Sequence, residues 1–522
     1  MNISDFLKRT AAVFPSNTAV VHDNRRISFR DLDRDASKVA AWLKGLNLPE
    51  GARVGIFLEN SIDYVTTFFA VLEAGFVVVP LDTSLSAEKL KFILDDCGTE
   101  VLFVHFRFQR LLAKLYEMKP ALRHIISEKE LVVKLEGAVH TTLPQILSQL
   151  PAEEPAEADG KAALVNWNDV PNAPRELAAI FYTSGSTGQG KGVMLSHRSL
   201  VANTVGTVEY LKLTEKDSVI VILPFYYIYG NSLLLTHVAV GGCLVIDNRF
   251  MYAETVLDTM QAERVTGLSG VPSNFLILLN NSTFPTREFP SLRYFTQAGG
   301  GMAPDVIRRL YETFPDKEVY IMYGQTEASP RVTWLPPDRL REKLGSVGIE
   351  VPGVKVRIIK ENGEEASSGE EGEIVVGGDS VMMGYWNQPD EQQEVLKDGC
   401  LYTGDLAKRD EDGFIFIVGR RKEIIKSGGN RISVKEVEEC LLTNEKIHEV
   451  AVFGVPDDIF GEAVKAVVVL KQGFESNFKE IQRHCRQSLA EHKIPRHVEF
   501  VDELPKYQSG KVNKLALKSR PV

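Results

Sequence analysis

Tyr182-Thr-Ser-Gly-Ser-Thr-Gly-Gln-Gly-Lys-Gly-Val193 places four glycines and four serine or threonine hydroxyls around one lysine, Lys191. Glycines leave backbone N–H groups unshielded and permit positive φ, so such a loop can close around an anion. The hydroxyls add donors and the lysine adds charge. Before the loop, Leu177-Ala-Ala-Ile-Phe-Tyr182 is apolar and strand-like; after it, Ser196–Tyr210 has the makings of a helix. A strand, a glycine-rich loop and a helix are how an α/β protein usually holds a phosphate. A flexible linker is the weaker reading, because linkers seldom carry a lysine between glycines behind an apolar strand.

Gly185 to Lys191 also fits the first seven positions of the nucleotide-binding motif G-x-x-x-x-G-K-[ST]. The eighth position should offer a magnesium-binding hydroxyl, and here it is Gly192. The residues that follow, Gly192-Val-Met-Leu195, read as extended where that motif would start a helix. The match is read as accidental, which sets aside a P-loop kinase.

Four further landmarks follow in order. Tyr323-Gly-Gln-Thr-Glu327 and Tyr402-Thr-Gly-Asp405 each put a carboxylate after a glycine turn. Gly419-Arg-Arg-Lys-Glu-Ile-Ile-Lys-Ser-Gly-Gly-Asn-Arg-Ile432 is basic and glycine-interrupted, and Pro505-Lys-Tyr-Gln-Ser-Gly-Lys511 sets a lysine after a glycine. Each alone is an ordinary turn or a solvated charged face. Together, with Ile27-Ser-Phe-Arg-Asp-Leu32, Leu72-Glu-Ala-Gly-Phe-Val-Val-Val-Pro-Leu-Asp82 and Gly345-Ser-Val-Gly348, they make the chain resemble the adenylate-forming superfamily nearly end to end. That superfamily includes acyl- and aryl-CoA synthetases, peptide-synthetase adenylation domains and beetle luciferases.

The resemblance implies an acid–thiol ligase. A carboxylate attacks the α-phosphate of ATP, pyrophosphate leaves, and the acyl group passes to a thiol. Two anions meet, so the site must supply positive charge and oriented donors. By resemblance, Thr183, Ser184, Gly185, Ser186, Thr187, Gly188 and Lys191 hold the β- and γ-phosphates. Glu327, with Thr187, holds Mg²⁺, a hard ion that prefers oxygen ligands. Asp405 accepts from the ribose hydroxyls, Arg420 reaches ribose or phosphate, and Lys511 bridges the attacking carboxylate and the α-phosphate. The adenine pocket falls, by resemblance, at Gly299-Gly300-Gly301 and Tyr323, and Gly324 and Thr326 are further candidates for binding the nucleotide. Tyr227, Asn231, Ser273 and Gly299 are the candidates for the acid pocket, and Lys422 is the candidate hinge. CoA is the expected co-substrate; a phosphopantetheine carrier protein and luciferase-type oxidation are the alternatives. A binding-only sensor would be expected to lack Lys511 or Glu327, and both are present.

Two departures from the superfamily's pattern stand out. Gly190 replaces a common proline. Tyr227, in Pro224-Phe-Tyr-Tyr-Ile-Tyr-Gly230, stands where many CoA synthetases have histidine, so a cationic imidazole is not available there. Residues 224–236 contain no acidic side chain, which favours an acyl or aryl acid over an amino acid.

Composition bounds these expectations. The 522 residues carry a net charge of −10, against a nucleic-acid binder. Five scattered cysteines lack any C-x-x-C spacing, as expected of reduced thiols in a cytoplasmic protein without a cysteine metal site. The N-terminus lacks the apolar core of a signal peptide. Val219–Ile246 has no Asp, Glu, Lys or Arg, yet Pro224, Gly230 and Gly241-Gly242 break it, so strand, loop, helix and strand are expected rather than a membrane span.

Apolar runs at Val54–Leu58, Phe76–Pro80, Val101–Val104, Val219–Leu223 and Leu244–Ile246 alternate with helical periods at Ala36–Leu46 and Ala87–Leu94. Sheets buried between helices, an α/β class, are expected. Pro151–Gly160 reads as an exposed excursion. Beyond Gly419, helices at Val434–Leu442 and Phe478–Leu489 and strands at Glu449–Phe453 and Ala463–Leu470 suggest a small, mobile α+β domain. The expected division is 1–419, binding ATP and acid, and 420–522, carrying Lys511.

Overall fold

The computed structural model describes residues 1–149, 164–183, 190–427, 430–506 and 512–518, with the side chains of Lys422, Arg431 and Leu515 also left aside. The Pro151–Gly160 excursion therefore lies outside the described residues.

Two large sheets carry the first part of the chain. One has eight strands: Arg53–Phe57, Val77–Pro80 and Leu177–Thr183 pair in parallel with neighbours Val101–Val104 and His124–Ser127. The other has nine, with Thr18–His22, Cys243–Ile246, Ser218–Val221, Gly267–Gly270, Tyr294–Gln297 and Glu318–Gly324 in one parallel series. Val54, Val78, Val101 and Ala179 are fully buried, as strands covered on both faces must be.

The charge-free run folds as expected, into strand Ser218–Val221, helix Ile228–Val240 and strand Cys243–Ile246. Every residue of that helix is buried, and one core joins it to residues of both large sheets. It is a core helix rather than a membrane one. Among the described residues no helix is long and apolar enough to cross a membrane.

A third sheet is antiparallel, built from Lys355–Ile359, Glu371–Gly377, Leu396–Lys397, Cys400–Arg409 and Ile415–Arg420. Sequence reading did not anticipate it, because its strands alternate buried and exposed positions irregularly. A fourth sheet, wholly beyond Ile424, joins Ile425–Ser427, Asn430–Ile432, Ile447–Asp457, Gly461–Leu470 and His497–Phe500. Helices Val434–Leu442 and Phe478–Cys485 pack on it through Val437, Leu441 and Ile481. The second helix is shorter than the expected Phe478–Leu489. The polar run Arg486–Ser488 leaves the helix as a turn, with Ser488 Oγ held 3.1 Å from Cys440 Sγ.

Candidate active site

Strand Leu177–Thr183 turns back as strand Lys191–Ser196, with Thr183 opposite Lys191. Ser196 then caps helix His197–Leu211, accepting from the Ser199 N–H. Ser184, Gly185, Ser186, Thr187 and Gly188 lie outside the described residues; Thr183 and Lys191 mark the mouth of their loop. Gly192 is extended, as the sequence suggested, and a Cβ there would lie 2.9 Å from Ile180 Cγ2 and 3.1 Å from Trp386 Cβ. Close packing under Trp386 explains a glycine where a P-loop needs a hydroxyl.

Edge strand Gly384–Tyr385 pairs with Val193 and Met194 and brings two residues beside the lysine that sequence reading missed. Lys191 forms an ion pair with Glu391, on helix Pro389–Val395, and its ammonium lies 5.2 Å from the Tyr385 ring centroid. Tyr385 in turn donates to Glu327 Oε1 at 2.8 Å. Burial, with the Glu327 carboxylate beside it, pushes the Tyr385 hydroxyl up, so it stays a neutral donor. Lys191 and Glu327, 136 positions apart, thus share one aromatic neighbour.

Glu327 sits on the short turn Thr326–Ala328, just past strand Glu318–Gly324. The turn is held from below: Asn203 Nδ2 donates to Ala328 O at 3.3 Å and Arg331 O at 2.8 Å. Gly324 is required, since a Cβ there would stand 1.9 Å from Pro330 O.

Tyr323, Asp405 and Arg420 form the second cluster. Asp405 and Arg420 face each other across antiparallel strands Cys400–Arg409 and Ile415–Arg420. Tyr323 donates to Asp405 Oδ2 and Arg420 Nε to Oδ1, each at 2.7 Å. Burial, then Asp405, raises the Tyr323 hydroxyl well above its ordinary range. Asp405 is only 4% exposed. Each of its oxygens retains a lone pair for a further donor.

On the acid side, Tyr227 precedes helix Ile228–Val240 and donates to Asp82 Oδ2 at 3.0 Å. A carboxylate from the Leu72–Asp82 stretch therefore anchors the ring that replaces histidine. Gly299, at φ +84°, packs on Val271, and Gly300 O accepts from Gln297 Nε2 at 2.8 Å. Ser273 follows Val271-Pro272 on helix Pro272–Asn281, half-buried. Asn231 is fully buried, and its side-chain amide has no hydrogen-bond partner among the described residues. At 100° per residue it projects away from the helix face that carries Tyr229, whose hydroxyl bonds Thr296, and Ser232. Lys511 lies outside the described residues. Lys422 lies in the turn Arg421–Glu423, between Arg420 and strand Ile425–Ser427.

The hairpin bounded by Thr183 and Lys191, the Tyr385-bonded carboxylate of Glu327 and the buried carboxylate of Asp405 are the polar features the fold sets out here. The comparisons with known proteins give the family. The AMP-binding enzyme family matches residues 7–386 and the AMP-binding enzyme C-terminal domain matches 436–511, so the chain belongs to the AMP-binding enzyme family. It is 32% identical to a long-chain-fatty-acid–CoA ligase of Yersinia pestis, covering 100% of this chain and 94% of that one. It is also 32% identical to a feruloyl-CoA synthase of Amycolatopsis, over 98% and 97%. Among solved structures, the o-succinylbenzoate CoA synthetase of Bacillus subtilis bound to its acyl-adenylate superposes with a TM-score of 0.84, at 27% identity over 99% and 98%. The same synthetase is known with ATP and a magnesium ion, at a TM-score of 0.83, 27% identity, and 98% and 99% coverage.

Proposed function

We propose that the protein is an ATP-dependent acid–CoA ligase that first makes an acyl-adenylate and then the acyl-CoA thioester. The observation that carries this is Asp405: a buried carboxylate, fixed by Tyr323 and Arg420, with acceptor capacity left for vicinal hydroxyls. Lys191, at the mouth of the glycine loop, supplies charge to the β- and γ-phosphates after exchanging Glu391 for them. In the first step a carboxylate oxygen of the acid bonds to the α-phosphorus and the bond to pyrophosphate breaks. In the second, the thiol attacks the acyl carbon and AMP leaves.

Glu327 suits Mg²⁺. One of its oxygens accepts from Tyr385 and the other is a hard ligand, and Mg²⁺ takes one or two carboxylates alongside phosphates and water. When bound, the ion neutralises charge on the phosphates. Residues 1–419 act as the ATP- and acid-binding unit and 420–522 as the unit carrying Lys511, with Lys422 as hinge. The expected compartment is the cytoplasm. An acid-dependent ATP–pyrophosphate exchange screen over fatty, aryl and dicarboxylic acids tests the proposal. Exchange with at least one acid, followed by thioester on adding CoA, is expected; exchange with none refutes it.

A further inference from the structure

Strand Arg331–Leu335 begins with a cation in the wrong place for a fatty tail. Arg331 is 2% exposed. Its guanidinium donates to Tyr210 OH at 2.8 Å and to Met322 Sδ at 3.3 Å from Nη1, and to Ser232 Oγ at 3.1 Å from Nη2 and 3.4 Å from Nε. It lies 5.4 Å from the Tyr229 ring centroid. All of these partners are neutral, and among the described residues no carboxylate pairs with it. A buried cation is normally paired with an anion, because desolvation is otherwise uncompensated. A guanidinium has five N–H donors in a fork matched to a carboxylate. Here Ser232 Oγ serves two of them, a weak sulfur acceptor serves another, and one Nη2 hydrogen has no acceptor among the described residues.

Its position gives the missing anion a source. Ser232 and Tyr229 share one face of helix Ile228–Val240, toward the nine-stranded sheet. Tyr229 bonds to Thr296, three residues before Gly299, so this face continues from the proposed acid site. From Tyr227, a candidate for the acid pocket, to Ser232 is a rise of about 7.5 Å along the helix axis. We propose that Arg331 sets the specificity of the ligase by binding a second carboxylate at the far end of the acid, so that the substrate is a compact dicarboxylic acid. This rests on the ligase reading above. A hydrocarbon end would leave the guanidinium unpaired, and a site built for a polar group discriminates strongly against a partner that lacks it. Arginine suits the role better than lysine because its fork is planar and bidentate.

The experiment compares kcat/KM for thioester formation with matched pairs of monoacid and diacid: hexanoate with adipate, octanoate with suberate, and benzoate with terephthalate, its para-carboxylated counterpart. For the wild-type enzyme a preference of about 10²-fold or more for the better diacids is expected. Arg331→Met, checked for folding by circular dichroism, should abolish that preference and raise turnover of the monoacid, while Arg331→Lys should retain part of it. Equal or better wild-type turnover of the monoacids overturns the inference and leaves the ligase reading standing. So does a folded Arg331→Met variant with unchanged selectivity. Failure of every acid to support thioester formation overturns both.

Discussion

Replacing Asp405 by asparagine tests the nucleotide site at its most constrained atom. The carboxylate is buried and already accepts two hydrogen bonds, from Tyr323 OH and Arg420 Nε, both at 2.7 Å. Its remaining lone pairs are the ones a ribose would use. Asparagine keeps the shape, removes the charge and turns one acceptor into a donor. That donor must face either the ribose or one of the existing N–H and O–H groups. A hydrogen bond to a charged group contributes about 1.5–3 kcal/mol, so ATP affinity should fall roughly 10- to 150-fold at 1.4 kcal/mol per decade. Calorimetric titration with a non-hydrolysable ATP analogue reads this directly. Titration with the 2′- and 3′-deoxy forms completes a double-mutant cycle. The wild type should be penalised by loss of a ribose hydroxyl and Asp405→Asn should be nearly indifferent to it. Unchanged ATP affinity in the folded variant, or an equal deoxy penalty in both proteins, would refute the assignment and leave Asp405 as a strand-pairing residue for Arg420.

Lys511→Ala should slow adenylation by about 10²–10³-fold, the range for losing one charge-stabilising group, while thioester formation from pre-made acyl-adenylate survives; parallel loss of both half-reactions in single-turnover assays would count against its role. Lys422→Pro fixes φ and resists a backbone swing, so adenylate should accumulate on the enzyme without thioester, and wild-type rates in both half-reactions would dismiss the hinge. Stability should also fall with acid. Burial pushes His197 and His237 down to about 4, and His197 Nδ1 accepts from the Ile3 N–H at 3.3 Å, which requires a neutral ring. A histidine whose folded pKa is depressed stabilises fully above its unfolded pKa, about 6.5, and that contribution is lost as pH falls toward 4, at roughly 1.4 kcal/mol per pH unit for each ring. Asp33, raised by burial to about 6, opposes this over part of the window. His197→Asn, which keeps an acceptor for Ile3, should flatten the denaturation midpoint between pH 6.5 and 5; an unchanged slope would show that this histidine does not titrate on unfolding.

The parts of the candidate site that can be read in sequence are those whose chemistry is local. The glycine–lysine loop, Asp405 after its turn and Arg420 at the end of a strand announce themselves through backbone needs and charge within a few residues. The parts that were not legible arise from pairing between distant strands. Glu391 meets Lys191 only because strand Gly384–Tyr385 adds to the edge beside Val193, 192 positions earlier for Tyr385. On its own helix Glu391 is one acidic residue among several. The antiparallel sheet over 355–420 was hidden for a related reason: strand Cys400–Arg409 mixes buried and half-buried positions, and Gly404 sits within it. Arg331 did leave a signal. It is a charge at the head of the apolar strand Arg331-Val-Thr-Trp-Leu335, where solvent exposure is not expected.

The central claim is that acid oxygen becomes bonded to the α-phosphorus. The most direct measurement uses a turned-over carboxylic acid carrying ¹⁸O in both carboxylate oxygens, with ATP and CoA, and mass spectrometry of the products. An acyl-adenylate route places one ¹⁸O in AMP and leaves one in the acyl-CoA carbonyl, with none in pyrophosphate. Label in inorganic phosphate, with ADP as the nucleotide product, would contradict the account.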